Sequence, residues 1–257
     1  MIRIFPNPTQ TEQRDFIRHS CLLEGIPMSE DIIDRSMSEE KDGNPFATGH
    51  FAACNLVVTN AHRVDLLPRR SASISDSRGA SISDSRGSTL SEEILRDKRG
   101  LFCKIHKALM EPVAKNGPKG QGYDTIEHYQ IGTLRRRPKK IGDRTMPDPG
   151  AVQRLLDKLI IDIAEFHDKH YDRLNASNID WNEIQGISDQ IWEFHLRLIC
   201  IKPFEDGSNR VARLFLNLMR LNFGLCWYVP ESDEKAKKAY LKDIWRVQDE
   251  MKKASRM

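Results

Sequence analysis

The sequence predicts an all-α fold with one irregular basic arm. Three observations carry that expectation. Alternating β-branched runs are nearly absent, and most apolar residues recur at helical spacing. One stretch, residues 132–149, instead gathers basic residues, prolines and glycines, with Leu134 and Ile141 as its only aliphatic side chains.

The elements follow in order. A first helix is expected over residues 11–23, with Phe16, Ile17, Cys21 and Leu23 inward and Gly25 with Pro27 ending it. A second starts after Ser29 as N-cap, ahead of Asp31, Ile32 and Ile33. A third covers residues 51–67 and stops at Pro68. Residues 72–79 read A-S-I-S-D-S-R-G, and residues 80–87 repeat them letter for letter. Two such copies are too few and too polar to stack, so a surface loop is expected. Helical spacing resumes after Ser91 and runs to about residue 110; residues 112–124 read as Gly/Pro/Lys-rich loop. The basic arm is expected as an irregular hairpin. Helices follow over residues 150–170, 181–200, 208–223 and 232–253. The chain divides on this reading into an N-terminal helical segment (1–67), a Ser/Gly-rich loop (68–90) and a helical core with a C-terminal helix (91–257).

Bulk properties bound the function. No run of 18 or more apolar residues occurs, so no membrane span is expected. The N-terminus is polar and broken by proline, unlike a secretory signal. A cytoplasmic location is the default, with secretion by a signal-independent route left open. The net charge of +3 is weak for nucleic-acid binding, and the basic cluster Arg135, Arg136, Arg137, Lys139 and Lys140 has no interleaved aromatics. Nucleic acid is therefore a disfavoured partner. The five cysteines are scattered and odd in number, with no C-x-x-C, so buried reduced thiols are expected rather than zinc or disulfides.

The chemistry concentrates in I-K-P-F-E-D-G-S-N-R-V-A-R, residues 201–213, followed by an apolar helix. Small residues Gly207, Ser208 and Asn209 at a helix start let backbone N–H groups converge, and the first of these lack internal partners. Such a site binds phosphate oxygens. Arg210 and Arg213 share a helix face and suit forked hydrogen bonds to phosphates. Asp206 suits a Mg²⁺ bridging those phosphates. Singly, each piece is ordinary turn or surface chemistry; their order beside an apolar helix favours a nucleotide site.

This run resembles the motif of the Fic/Doc (Fido) family, H-P-F-x-D/E-G-N-G/K-R-x-x-R. Pro203, Phe204, Asp206, Gly207, Arg210 and Arg213 match it. The similarity extends over residues 91–223, with G-T-L-R-R-R-P-K-K-I-G (132–142) similar to the family's flap. The resemblance implies a Fic-like helical bundle with a short irregular β-hairpin flap. It implies transfer of AMP from ATP to a Ser, Thr or Tyr hydroxyl of a target protein, with Mg²⁺ on Asp206. Gly207, Ser208 and Asn209 would form the anion hole, and Arg210 and Arg213 would meet the distal phosphates. A second match is S-C-L-L-E-G, residues 20–25. It resembles the family's inhibitory pattern S/T-x-x-x-E-G/N, in which Glu24, on the helix of Ser20, pairs with Arg213.

Two positions depart from the pattern. Lys202 stands where the family has the histidine that takes the hydroxyl proton. Lysine's ordinary pKa of about 10.4, against about 6.5 for histidine, makes a charged Lys202 the expectation. Ser208 stands where the family has asparagine, with a hydroxyl expected to serve phosphate instead. The resulting expectation is a weakened or inactive transferase. The alternative is a nucleotide-binding pseudoenzyme or a protein-interaction module. His167, His170 and His195 are weaker candidates, the first two as surface histidines. The assembly is open, a homodimer included.

Overall fold

In the computed structural model, residues 7–38, 44–61, 92–117, 130–141, 143–174 and 180–254 are described. Among them are eight helices and one two-stranded hairpin, the all-α class the apolar spacing predicts. The tandem repeat, and residues 62–67 of the expected third helix, lie outside the described residues.

Helix α1 (Gln10–Leu23) starts at a capping box: the Thr9 side chain accepts from the Glu12 backbone, and Glu12 reaches back to the Thr9 N–H. It stops because Gly25 turns left-handed at φ +74°. Ile26 N–H then returns to the Cys21 carbonyl at 3.0 Å, a Schellman-type ending that leaves Glu24 at the helix end. Helix α2 (Glu30–Met37) is capped by Ser29, as its position predicts. Helix α3 (Pro45–Ala61) begins six residues before the expected start. Asn44 Oδ1 accepts the Phe46 N–H at 2.9 Å, and Pro45 suits a first helical turn.

Helix α4 (Glu92–Asn116) runs through Pro112, where a loop was expected. Leu109, Met110 and Val113 are all buried around that proline, so packing carries the helix past it. The basic arm forms the expected hairpin: β1 (Lys140–Ile141) pairs antiparallel with β2 (Arg144–Thr145), Lys140 opposite Thr145. Three long helices follow: α5 (Pro149–Leu174), α6 (Trp181–Ile201) and α7 (Ser208–Asn222). Helix α8 (Glu234–Ala254) completes the order.

Helix α7 is the axis of the fold. Ser208 and every residue from Arg210 to Met219 are buried, as expected of a helix enclosed on all sides. Helices α3, α4 and α6 pack around it, α1 and α2 lie on α3, and α8 lies on α6. One apolar core runs from Phe16 and Ile17 through Phe102, Leu109, Ile191 and Leu198 to Leu214 and Val247. The candidate site residues at the start of α7 are therefore set by the most enclosed element. No described helix is long and apolar enough to cross a membrane.

Candidate nucleotide site

The turn between α6 and α7 is held from three sides. Lys202 caps α6 in the left-handed region, φ 52° and ψ 64°, and lets the chain reverse. Phe204 is fully buried and stacks on the His106 ring of α4 at 4.0 Å and 3°. His106 Nδ1 accepts the Gly132 N–H at 2.9 Å, so its Nε2 carries the proton and donates to the Asp206 carbonyl at 3.1 Å. Burial pushes the His106 pKa down to about 4, partly offset by the bond to Asp206, which keeps that neutral tautomer. One imidazole thus joins the motif turn to the start of the basic arm.

The arm is tied to the same turn. Glu205 Oε1 accepts the N–H groups of Arg136 and Arg137 at 3.0 and 3.1 Å, and Lys139 Nζ donates to the Glu205 carbonyl. Arg135 is buried; it donates to the carbonyls of Lys202 at 2.7 Å, Arg137 at 2.9 Å and Pro147 at 2.5 Å. Arg135 is thereby drawn out of the basic cluster and into the fold. Arg136, Arg137 and Lys140 remain exposed.

At the head of α7, Gly207 adopts φ +69°, and a Cβ there would meet Met110 Sδ at 2.9 Å. Ser208 departs from expectation. Its hydroxyl accepts the Phe204 N–H at 2.9 Å and donates to the Phe204 carbonyl at 3.0 Å, so it braces the turn rather than facing an anion. The N–H groups of the first turn keep no intrahelical acceptor, and no side chain caps them.

The two arginines differ. Arg210 is buried and gives one bond to Asp206 Oδ2 at 3.2 Å; its Nε and Nη1 have no hydrogen-bond partner. Its guanidinium lies over the Phe46 ring, 5.5 Å from the centroid. Arg213 is fully engaged. Nε donates to Ser20 Oγ at 2.9 Å, and Nη2 donates to the Ser20 carbonyl at 3.0 Å and to Glu24 Oε1 at 2.7 Å. It also bonds to the Tyr240 hydroxyl. Burial alone would raise the Glu24 pKa, but the charge and hydrogen bond of Arg213, with Arg210 and Lys202 beyond, hold it down at about 2.

Lys202 is buried, and its Nζ donates to Asn209 Oδ1 at 2.7 Å. Burial lowers its pKa to about 8 against the opposing pull of Glu24. Asp206 is 40% exposed beside these groups. One carboxylate at an anion site suits Mg²⁺, which keeps water and shares its coordination with phosphates. Among the described residues, no group of three or more His, Cys, Asp and Glu side chains gathers into a metal cage.

His195 and His167, two of the weaker sequence candidates, sit in the core. His195 is buried, donates from Nδ1 to the Ala212 carbonyl at 2.9 Å and takes the Tyr240 hydroxyl on Nε2 at 2.8 Å. His167 is buried, not a surface residue. Cys21, Cys54 and Cys200 are buried free thiols, as expected for most of the cysteines, whereas Cys226 is exposed. Beside Arg213 lies a cavity of about 200 Å³ lined by Trp192, His195, Tyr228 and Tyr240. Sequence reasoning missed the parts played by His106, Glu205, Phe46 and Tyr240. His106, Phe46 and Tyr240 are lone residues far from the motif and Glu205 fills the motif's variable position, so no pattern marks any of them.

Residues 98–219, just under half of the chain, match the model of the Fic/DOC family. Among solved structures it is similar to a Fic domain containing signaling protein from Bacteroides thetaiotaomicron. That match has 15% identity and a TM-score of 0.53 and covers 91% of this chain and 71% of the other. A Fic family protein from Desulfovibrio desulfuricans matches at 14% identity and a TM-score of 0.47, over 96% of this chain and 57% of that one. No curated protein matches the chain.

Proposed function

We propose that the α6–α7 turn binds ATP with Mg²⁺ and that this domain is a protein adenylyltransferase, restrained by Glu24 and weakened by Lys202. The observation that carries the reading is Arg210. A buried guanidinium with two unpartnered nitrogens at a helix N-terminus is costly unless an anion completes it.

In the proposed reaction a Ser, Thr or Tyr oxygen of the target bonds to the α-phosphorus. The bond from that phosphorus to the β-bridging oxygen breaks, and pyrophosphate leaves with the electron pair. Backbone N–H groups at the head of α7 and Arg210 hold the phosphates. Mg²⁺, held through Asp206, would offset phosphate charge when bound. The hydroxyl proton needs an acceptor. With a pKa of about 8, Lys202 is neutral in only about a tenth of molecules at pH 7. Glu24 on Arg213 withholds the second arginine from the terminal phosphate. The target would meet the domain beside the hairpin that Glu205 fastens to the turn.

The bond from Lys202 to Asn209 favours a second reading, a nucleotide-binding pseudoenzyme, because it occupies the group that would act as base. Labelled ATP separates the two. The native chain, Lys202→His, and Lys202→His with Glu24→Gly are incubated with ATP, Mg²⁺ and candidate target proteins. Label transferred by the histidine forms is the expected result. ATP binding without transfer in any form supports the pseudoenzyme, and absence of ATP binding in all three sinks both readings.

A further inference from the structure

The hydrogen bonds around Arg213 continue past Ser20 into α3. His50 is fully buried there. Its Nδ1 lies 3.0 Å from the Phe46 carbonyl, and its Nε2 lies 3.2 Å from Ser20 Oγ. A carbonyl only accepts, so Nδ1 carries the proton and Nε2 is bare. Nε2 must then take the Ser20 proton, which turns a Ser20 lone pair towards the Nε–H of Arg213, 2.9 Å away. Burial, with the nearby positive charge of Arg210, pushes the His50 pKa down to about 3, so no second proton disturbs this order. Every donor in the chain Phe46–His50–Ser20–Arg213–Glu24 meets an acceptor in a single arrangement.

We infer that His50 is a positioning residue of the Glu24 clamp: by fixing the Ser20 proton it orients Arg213 towards Glu24 and away from phosphate. The inference rests on the proposed nucleotide site and extends its regulation from α1 into α3. The same turn of α3 serves both arginines, since the Phe46 ring lies against Arg210. Two helices, not one, then hold the resting state.

The test uses side chains that keep different halves of the imidazole. Gln at position 50 retains an acceptor near Nε2, whereas Asn retains only the group near Nδ1. ATP affinity with Mg²⁺ is measured by calorimetry on the whole chain, with thermal melts confirming that each variant is folded. His50→Asn should bind ATP about threefold to tenfold more tightly, the scale of one net hydrogen bond. His50→Gln should stay close to the native affinity. In a Glu24→Gly background, His50→Asn should add nothing, because the clamp it serves is gone. If His50→Asn fails to fold, Ser20→Ala interrupts the chain from its other end and should give the same gain, again absent with Glu24→Gly.

A gain that survives in the Glu24→Gly background overturns the inference, since His50 would then act on nucleotide directly. So does an unchanged affinity in folded His50→Asn and Ser20→Ala while Glu24→Gly binds more tightly; the proposed site survives that result. If Glu24→Gly does not alter ATP binding, the clamp and the inference fall together.

Discussion

Arg210 and Arg213 sit one helical turn apart on α7, and both are buried. Arg210 has two nitrogens without partners and a ring beneath it. Arg213 meets Ser20, Glu24 and Tyr240. One helix therefore presents a half of the site ready for an anion and a half already satisfied by protein. The difference arises from α1, which is distant in sequence and ends on Gly25 so that Glu24 reaches Arg213. Identical side chains on one face acquire opposite availability from what packs opposite them.

The largest expected effect comes from making the two arginines alike while restoring the base. Lys202→His with Glu24→Gly should raise target labelling by about 10²–10⁴ over the native chain, the usual range for a general base, measured as initial rates. Lys202→His alone should give less, because Arg213 stays occupied. In the native chain, activity should rise from pH 7 to 9, since Lys202 accepts a proton only above its pKa of about 8. A flat profile would remove Lys202 from the chemistry.

Removing the satisfied arginine should cost stability more than it costs binding. Arg213→Ala empties a fully buried position and strips Ser20 and Glu24 of their partner; breaking such a network should cost about 3 kcal/mol in denaturant unfolding. Arg210→Ala should cost less stability, because its bond to half-exposed Asp206 and its contact with the Phe46 ring are lost while two buried, unpartnered nitrogens are removed. ATP affinity should fall more for Arg210→Ala than for Arg213→Ala. Equal stability losses would erase the contrast.

The contrast also has a pH signature. The Glu24 carboxyl falls from an ordinary value of 4.5 to about 2 in the folded chain. A depressed carboxyl stabilises the fold above its unfolded pKa, and that stability is lost as pH drops through the folded one. Because Glu24 is solvent-exposed on one side, screening holds the contribution to about 1 kcal/mol, lost between pH 4.5 and 2. Unfolding measured across that window should be steep in the native chain and flatter in Glu24→Gln.

Sequence made the helical class, the hairpin and the motif turn legible, because each is a local pattern. Apolar spacing marks α5 to α8, and Ser29 marks the start of α2. The errors are places where distant packing overrides a local signal. Pro112 reads as a helix stop, yet buried Leu109, Met110 and Val113 hold the helix through it. Arg135 reads as one more member of the basic cluster, yet it is buried and bonded to three backbone carbonyls. The motif string names Ser208, but only the turn geometry shows that its hydroxyl closes on Phe204. His106 and His50 were illegible because their value lies in which neighbours each ring nitrogen meets.

The smallest effects come from two glycines, Gly25 at the end of the helix that bears Arg213's partners and Gly207 at the start of the helix that bears both arginines. Both have positive φ, +74° at Gly25 and +69° at Gly207. Replacing either with alanine costs about 1–2 kcal/mol of backbone strain. Their surroundings differ: a Cβ at Gly25 meets nothing within 4 Å, whereas one at Gly207 meets Met110 Sδ at 2.9 Å. Gly25→Ala should therefore lose only that strain and, by loosening the end of α1, let Glu24 leave Arg213 more often. ATP affinity should rise slightly. Gly207→Ala should lose somewhat more stability and shift the N–H groups proposed to meet phosphate, so ATP affinity should fall. Calorimetry on the two alanine variants reads the sign directly. Affinity changes in the same direction would mean that the end of α1 does not act through Arg213.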